Sequence, residues 1–263
     1  MILPFSEIET VAFVGSGKVA NGLATIFHNA GFIITGISSR NKETGKALAQ
    51  IVDAPFFDSQ LELKADLILI AVADQHVSEI VKCFPAEQLV AFTAGSISLE
   101  AVNSNENRAV FYPLQTFTEG RNLSVNQIPI LLETKLLEAA NCLKLVCEKI
   151  GFQFQFCDSE KRKYLHLSAV FVNNFANHLV YLAKEESDKN MLDWRLFEPL
   201  LAETFEKLKF LSPFEAQTGP AKRNDTAIIE KHLKLLTGRK KEIYALLSKS
   251  ITETFLTKGE LTK

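Results

Sequence analysis

The sequence predicts an α/β fold, in which a doubly wound and mostly parallel sheet is followed by an all-helical domain. Short apolar runs alternate with stretches of helical periodicity in the first half of the chain. This alternation is typical of a parallel sheet with helices on both faces. Strand-like runs end near residue 157, and only helical patterns follow. We therefore expect two domains, residues 1–157 and residues 158–263.

The predicted strands are nearly continuous apolar runs, as expected for strands that are covered on both faces. Helical periodicity links them, and Gly31 is placed to end the first helix. The expected strands are residues 10–15, 32–39, 66–72, 89–95, 109–114, 128–133 and 152–157. The expected helices are residues 18–31, 41–52, 74–84, 134–151, 159–187, 196–211 and about 240–257.

The composition indicates a folded protein that binds neither nucleic acid nor membrane. Hydrophobic residues make up 47% of the 263 residues and charged residues 23%, which allows a sizeable core. The net charge of −2 and the pI of about 6.2 differ from those of nucleic-acid-binding domains, whose pI usually lies above about 9. The longest apolar run, residues 67–73, is shorter than the roughly 18 residues of a membrane-spanning helix.

The N-terminal residues and the cysteines favour a cytoplasmic location. The first ten residues lack the basic and apolar segments of a signal peptide. Cys83, Cys142, Cys147 and Cys157 show no CxxC spacing and no paired histidines. This spacing favours reduced thiols in the core, and we expect no metal site.

A glycine-rich loop at the first strand–helix junction predicts a dinucleotide-binding site. Its sequence, GSGKVA, has the pattern G-x-G-x-x-A. In this setting the first glycine makes a tight turn, the second lets a pyrophosphate approach the backbone, and the alanine lets the helix pack closely on the sheet. The N–H groups at the helix start then bind the phosphates. The alternative is a merely structural turn. The predicted cofactor residues are Gly15, Ser16, Gly17, Lys18, Val19 and Ala20.

The end of the second predicted strand favours NADP(H) over NAD(H). NAD-binding proteins usually carry an acidic residue here for the ribose hydroxyls, but the first acid of this segment is Glu43. Ser38, Ser39 and Arg40 stand in its place, and hydroxyl and guanidinium groups can bind a 2′-phosphate by charge-assisted hydrogen bonds. The alternative is that Arg40 is only a solvated loop residue.

Loops that follow the later strands should border the same crevice, because ligands bind at the carboxyl ends of the strands of such sheets. Gly95 suits the close approach of a cofactor. Asp74 either contacts the cofactor or caps the next helix. The cofactor residues that we predict in these loops are Ala71, Val72, Asp74, Thr93 and Gly95.

Three further segments resemble a particular enzyme group: FYPLQTF at 111–117, HLSAVFVNNFANHL at 166–179 and TGPAKRNDTAIIEKHL at 218–233. With the glycine loop, they resemble the Rossmann-fold reductases grouped with pyrroline-5-carboxylate reductase and the deazaflavin-coenzyme-dependent NADP oxidoreductases. The similarity is to a family with a C-terminal helical domain of unassigned function. The resemblance implies a helical domain like the C-terminal domain of 6-phosphogluconate dehydrogenase, which often dimerises and completes the active-site cleft. Tyr112 departs from the pattern, because relatives commonly have histidine there.

The predicted helix 159–187 carries the candidate catalytic residues. At about 100° per residue, the spacings of seven and four residues place His166, Asn173 and Asn177 on one helix face. An imidazole can donate a proton near neutral pH, and amides in an apolar helix need hydrogen-bonding partners. The alternatives are a structural histidine, and amides that bond backbone between the domains.

Two loops supply the predicted substrate-binding residues. The TGPAKRND segment should form a turn before a helix capped by Asn224 or Asp225. Basic residues beside a helix start suit an anionic group, although the same pattern fits a structural cap with solvated basic residues. The predicted substrate-binding residues are Gln115, Asn174, Thr218, Gly219 and Arg223.

These observations predict an NADP-dependent oxidoreductase that transfers a hydride between NADP(H) and a small C=O or C=N substrate. We expect the reaction in the cleft between the two domains, and a homodimer formed through the helical domain. One alternative is a deazaflavin-coenzyme-dependent NADP reductase. Another is a protein that binds NADP without turnover, as a sensor or scaffold, and Tyr112 in place of histidine gives this alternative some support.

Overall fold

The structure is a computed structural model that describes residues 7–102, 107–121 and 123–257. The chain forms two compact units that divide between Asn173 and Asn174. The predicted boundary between a cofactor-binding domain and a helical domain, at residues 157–158, stays a prediction. Residues 1–6, which enter the signal-peptide prediction, lie outside the described residues.

The first unit contains an eight-stranded, mostly parallel sheet. The strands are β1 (Thr10–Val14), β2 (Ile33–Ser38), β3 (Phe56–Phe57), β4 (Leu67–Ile70), β5 (Leu89–Phe92), β6 (Arg108–Pro113), β7 (Ile130–Thr134) and β8 (Phe154–Phe156). Their order in the sheet is β3-β2-β1-β4-β5-β6-β7-β8. All neighbours are parallel except β6 and β7, which are antiparallel. The predicted fold class is confirmed. Strand β3 was not predicted, because two residues are too short for an apolar run.

The helices of the first unit follow the predicted order. They are α1 (Lys18–Asn29), α2 (Lys42–Ile51), α3 (Asp74–Val81), α4 (Leu137–Ile150) and α5 (Ser159–Ala169), with short 3-10 helices at Gln60–Glu62, Glu100–Val102 and Val125–Gln127. Gly31 follows α1 with a φ of +83°, a conformation that favours glycine. Asp74 is the first residue of α3 and Ala73 is its N-cap, so the N-cap alternative for Asp74 was wrong.

Both faces of the sheet are buried, as the apolar runs predicted. Val11 and Phe13 of β1 pack in one layer of the core, and Ala12 and Val14 pack in the other. Successive side chains of a strand point to opposite faces, so each strand contributes to both layers. Phe27 of α1 is fully buried and meets Phe13 edge to face, with 5.8 Å between ring centroids.

The second unit is helical, but the long helix predicted over residues 159–187 is interrupted. A π-helix at Val170–Phe175 separates α5 from α6 (Ala176–Lys189). The apolar periodicity was read at 3.6 residues per turn and does not distinguish an i→i+5 turn from an i→i+4 turn. The uniform 100° spacing assumed for His166, Asn173 and Asn177 is therefore wrong across this segment.

The rest of the second unit consists of short helical pieces and one longer helix. The helix predicted over 196–211 is divided into shorter pieces. Asp225 is the N-cap of the ninth helix, where its carboxylate accepts from the Ile228 N–H at 3.1 Å. The pieces are 3-10 helices at Trp194–Phe197 and Lys207–Lys209, and α7 (Glu198–Glu206), α8 (Pro213–Ala216), α9 (Thr226–Leu235) and α10 (Gly238–Thr257). Across the described part of the chain, no helix is long and apolar enough to cross a membrane.

Candidate active site

A crevice of about 910 Å³ lies at the carboxyl ends of β1, β2, β4, β5 and β6. This is the edge of a doubly wound sheet where ligands bind. Every predicted cofactor residue except Ala20 lines the crevice, and Ala20 is buried. The lining residues among them are Gly15, Ser16, Gly17, Lys18, Val19, Ser38, Ser39, Arg40, Ala71, Val72, Asp74, Thr93 and Gly95.

The two loop glycines meet different physical requirements. Gly15 has a φ of +117°, and a Cβ there would lie 2.2 Å from the carbonyl oxygen of Ala71. Its N–H donates to the carbonyl of Ser38 at 2.8 Å, so the fold itself requires this glycine. Gly17 is the N-cap of α1, and a Cβ there would meet no atom within 4 Å. Space above Gly17 is therefore open beside the unpaired N–H groups of a helix start, an arrangement that fits a pyrophosphate.

A cluster of hydroxyl groups and cations lies where β2 ends. Ser16 Oγ lies 2.6 Å from both Ser39 Oγ and Thr44 Oγ1. Arg40 is exposed, and its Nη1 lies 3.3 Å from Nε2 of His76. Hydroxyl groups beside a guanidinium fit a 2′-phosphate.

Of the two neighbouring cations, Arg40 is a stronger candidate than Lys42 for binding an anion. Lys42, two residues further on, forms an ion pair with Asp58 at 3.0 Å. Asp58 lines the crevice and is exposed together with Lys42. The positive charge of Lys42 is thus offset by a carboxylate, whereas the described contact of Arg40 is with an imidazole.

A tyrosine–histidine pair lines another part of the crevice. The Tyr112 hydroxyl lies 2.9 Å from Nδ1 of His166, and the two rings meet edge to face. Both side chains pack over Gly95, because a Cβ at that position would lie 2.7 Å from the tyrosine ring and 2.8 Å from His166 Nδ1. Gly95 was predicted to make room for a cofactor, and the structure fills that space with the pair.

The surroundings of Tyr112 keep its hydroxyl protonated. Burial raises the pKa of Tyr112, and the carboxylate of Asp74 raises it further, while Arg162 has a smaller opposite effect. Asp74 accepts a short hydrogen bond from the hydroxyl of Ser96. It also lies in the first turn of α3, where the helix dipole favours negative charge.

Helix α5 is anchored to the sheet one turn before His166. Arg162 is fully buried and donates to the carboxylate of Glu133 in β7 and to the carbonyl of Ile97. Ser159 also donates to Glu133, at 2.9 Å. Residues four apart lie on the same helix face, so the anchored face is the one that presents His166 to the crevice.

The other predicted site residues have different surroundings. Gln115 lines the crevice, but its amide group is already hydrogen-bonded to the backbone. Its Nε2 donates to the carbonyl of Gln127 and its Oε1 accepts from the N–H of Thr116, each at 2.8 Å. Asn173, Asn174 and Asn177 are exposed in this chain, so the expectation of buried amides was wrong. The second unit contains Asn174, Asn177, Thr218, Gly219 and Arg223, and their roles stay predictions.

Sequence reasoning did not assign Tyr112 and His76, among other residues of the crevice, to the site. Tyr112 was noted only as a departure from histidine, and His76 was not among the predicted site residues, although both line the crevice. His76 lies in the first turn of α3, the helix that follows β4, and Tyr112 is the last residue but one of β6. Position at the edge where these strands end is the signal that could have found them. Within the described residues, no group of three or more His, Cys, Asp or Glu could hold a metal ion.

Fold and crevice together define a Rossmann-type dinucleotide-binding protein. Residues 10–92 match the family described as NADP oxidoreductase coenzyme F420-dependent, and residues 128–251 match a domain of unknown function. The chain is 35% identical to a candidate NADP oxidoreductase from Bacteroides fragilis, covering 94% of this chain and 98% of that one, with a TM-score of 0.86. The chain therefore belongs to this family of NADP oxidoreductases: it is an NADP-dependent oxidoreductase, and NADP(H) is its cofactor.

More distant similarities concern the fold alone. A protein from Thermotoga maritima is 23% identical, with a TM-score of 0.70 and coverage of 94% of this chain and 99% of that one. The 1-pyrroline-5-carboxylate reductase from Streptococcus pyogenes is 15% identical, with a TM-score of 0.61 and coverage of 95% and 98%. No curated protein matches the chain.

Proposed function

We propose that the protein transfers a hydride between NADP(H) and a small molecule that contains a C=O or C=N bond. The observation that carries this proposal is one crevice lined both by an open helix N-terminus and by a hydrogen-bonded tyrosine–histidine pair. A helix N-terminus binds phosphate groups. Reduction of a C=O or C=N bond also needs a proton donor, which such a pair can supply.

Three groups of residues would hold the cofactor. The glycine loop, residues 15–20, would bind the pyrophosphate through backbone N–H groups, and Ser38, Ser39 and Arg40 would bind the 2′-phosphate. The residues after β4 and β5 (Ala71, Val72, Asp74, Thr93 and Gly95) would border the nicotinamide. When bound, NADPH supplies the hydride. His166 is the proposed source of the proton.

The proposal also includes several more detailed expectations, and no described contact in the crevice supports them. They are the roles of Asn173 and Asn177 in holding the substrate, the location of the reaction between the two domains, and the cytoplasmic location. The same holds for the substrate-binding roles of Asn174, Thr218, Gly219 and Arg223.

A second candidate function is the transfer of a hydride between NADP(H) and coenzyme F420. The description of the family that matches residues 10–92 favours it. The residues that would bind NADP(H) are the same in both cases. A protein that binds NADP without turnover is supported less well, because the Tyr112–His166 pair restores a titratable group where histidine was expected.

We also propose a homodimer formed through the helical domain. The second unit exposes many large apolar side chains, among them Met191 at 93%, Phe210 at 84% and Leu196 at 75%. Surfaces of this kind usually mark a protein–protein interface, and closed two-fold dimers are the commonest oligomers.

Calorimetry with NADPH and NADH tests the cofactor site. We expect tighter binding of NADPH, and we expect Arg40→Asp to weaken NADPH binding about 10- to 100-fold with little effect on NADH, since a charge-assisted pair is replaced by repulsion. Lys42→Gln is the matched control, because the Lys42 charge is already offset by Asp58. Equal affinity of the unmodified protein for both dinucleotides would overturn the assignment of Arg40.

Turnover distinguishes the candidate functions. NADPH oxidation is followed with pyruvate, glyoxylate, 1-pyrroline and coenzyme F420 as acceptors. Oxidation with a keto acid or the imine supports the proposed function, and oxidation with coenzyme F420 alone supports the second candidate. Tight NADPH binding without turnover of any acceptor would leave the sensor or scaffold alternative.

A further inference from the structure

Tyr112 combines three properties that no other hydroxyl group of the described crevice shares. It lies at the carboxyl end of β6, it is hydrogen-bonded to an imidazole, and it lies beside a carboxylate that favours the protonated phenol. The hydroxyls of Ser16 and Ser39, in contrast, bond to each other near the start of α1.

We infer that the Tyr112 hydroxyl gives its proton directly to the acceptor, and that His166 returns a proton to Tyr112 through the Oη–Nδ1 hydrogen bond. This inference rests on the proposed function and deepens it. Tyr112 is then the catalytic residue, and His166 is a positioning residue that acts through it.

The alternation of side chains along β6 explains why Tyr112 reaches the crevice. Phe111 is fully buried in one core layer with Ala109. Tyr112 packs against the other layer and lines the crevice. This end of β6 is held by β7, where Tyr112 is opposite Leu131, whereas β5 pairs with β6 only as far as Val110. The strand therefore holds the phenol at one place in the crevice.

Helix α5 holds the imidazole against the phenol. The bonds of Arg162 to Glu133 and Ile97 lock the helix one turn before His166. Gly95 completes the packing, because any side chain there would occupy the position of the pair. The 2.9 Å separation of Oη and Nδ1 is therefore set by three elements: β6, α5 and the loop after β5.

The charged groups around Tyr112 disfavour a free phenolate, so the phenol can donate only as His166 replaces its proton. Asp74 at the start of α3 opposes formation of a phenolate, and Arg162 on α5 has a smaller opposite effect. Because burial and Asp74 raise the pKa of Tyr112, the phenol carries its proton at neutral pH and does not act as a base. Protonated His166, on α5, can donate from Nδ1 to the phenol oxygen.

The proton transfer balances the reduction. The acceptor carbon gains a C–H bond with the electron pair of the hydride, and the C=O or C=N double bond becomes a single bond. The acceptor oxygen or nitrogen takes the proton from Tyr112 Oη, and Oη takes the Nδ1 proton of the imidazolium, which becomes neutral imidazole. Solvent then returns a proton to His166, which is partly exposed.

The test uses Tyr112→Phe and His166→Gln, with Tyr164→Phe as the matched control. Tyr164 lies on α5 and is 63% exposed. Using the acceptor that the unmodified protein reduces fastest among pyruvate, glyoxylate and 1-pyrroline, we expect Tyr112→Phe to lower kcat about 100-fold or more. NADPH affinity by calorimetry should stay within about threefold, and the thermal unfolding curve should stay similar.

Two further readouts separate this role from a merely structural one. In protein without cofactor, the ¹⁵N chemical shift of His166 Nδ1 should change in Tyr112→Phe and not in Tyr164→Phe. In His166→Gln, kcat should be lower and its dependence on pH should differ from that of the unmodified protein, because no imidazole then returns a proton to the phenol.

The outcomes are distinguishable. Unchanged kcat in Tyr112→Phe, with turnover intact in the unmodified protein, would overturn the inference and leave the proposed function standing. An unchanged His166 Nδ1 shift in Tyr112→Phe would also overturn it, since the hydrogen bond would then be absent in solution. If the unmodified protein binds NADPH but reduces none of the three acceptors, the proposed function and this inference fail together.

Discussion

The two units of the chain bury their apolar side chains to very different degrees. In the first unit, Phe13, Phe27, Phe92 and Phe111 are fully buried, and each central strand is covered on both faces. In the second unit, α7 and α9 contain no buried residue, and Phe210 is 84% exposed. The first unit therefore has a complete core of its own.

This difference teaches that apolar content does not by itself define a core. Helical periodicity shows which side chains share a face, but the surface that covers this face can belong to another chain. If the proposed dimer forms, association would add to the stability of the second unit. A doubly wound sheet instead covers itself, because its crossover helices return to both faces.

The largest expected effect compares one phenylalanine from each unit. Phe27→Ala should lower the free energy of unfolding by about 3–5 kcal/mol, because it leaves a cavity in a closed core. Phe210→Ala should cost less than about 0.5 kcal/mol in the isolated chain, since a surface position leaves no cavity. Urea denaturation at low protein concentration measures both.

Protein concentration sharpens the same comparison. If the second unit forms a dimer through its exposed apolar side chains, the cost of Phe210→Ala should rise with protein concentration, because dimerisation stabilises the folded state by mass action. The cost of Phe27→Ala should not change. A concentration-independent cost for Phe210→Ala, together with a monomer in sedimentation experiments, would contradict the dimer.

A smaller effect concerns the two glycines of the cofactor loop. Gly15→Ala should cost about 2–3 kcal/mol of stability, because it combines a φ of +117° with a contact of 2.2 Å to the Ala71 carbonyl. Gly17→Ala should cost less than about 1 kcal/mol, since its φ is −72° and no atom lies nearby. Thermal unfolding measures both changes.

NADPH titration of the same variants separates fold from function. Gly17→Ala should remain folded and bind NADPH about tenfold more weakly, since its methyl group occupies space that the pyrophosphate needs. If Gly17→Ala bound NADPH as tightly as the unmodified protein, the crevice above α1 would not be the pyrophosphate site.

Most of the first unit could be predicted from the sequence, because its strands are continuous apolar runs bounded by turn residues. The order of the elements from β1 to α5 agrees with the structure except for β3, where Phe56 and Phe57 form too short a segment to read. The second unit was harder to predict. A π-helix at Val170–Phe175 leaves the same apolar pattern as a regular helix, so the periodicity could not reveal it.

The candidate site could be predicted in part for a similar reason. The glycine loop and the residues after each strand follow from local rules, and they line one crevice. The Tyr112–His166 pair is separated by 54 residues along the chain. It depends on how Arg162 anchors α5 to β7, and a buried Arg–Glu contact across the fold leaves no local pattern in the sequence.

The smallest expected effect again sets one unit against the other, through their acidic residues. Asp66 joins the starts of β1 and β4 by accepting from the Thr10 hydroxyl at 2.7 Å and from the N–H groups of Thr10 and Glu9. Burial by itself raises the pKa of Asp66, but these hydrogen bonds outweigh it and lower the pKa. Asp66→Asn should therefore cost about 1 kcal/mol at pH 7.

That cost should depend on pH, because Asp66 has a lower pKa in the folded than in the unfolded state. The stabilisation by Asp66 is present above the unfolded pKa of about 3.9 and is lost as the pH falls through the folded value.

Asp188, which pairs with Lys184 on the exposed surface of α6, is the matched control from the second unit. Asp188→Asn should cost less than about 0.5 kcal/mol, as exposed ion pairs usually do. Urea denaturation at pH 7 and pH 3 measures both variants. A cost of Asp66→Asn that stays the same at both pH values would show that the carboxylate charge does not hold these two strands together.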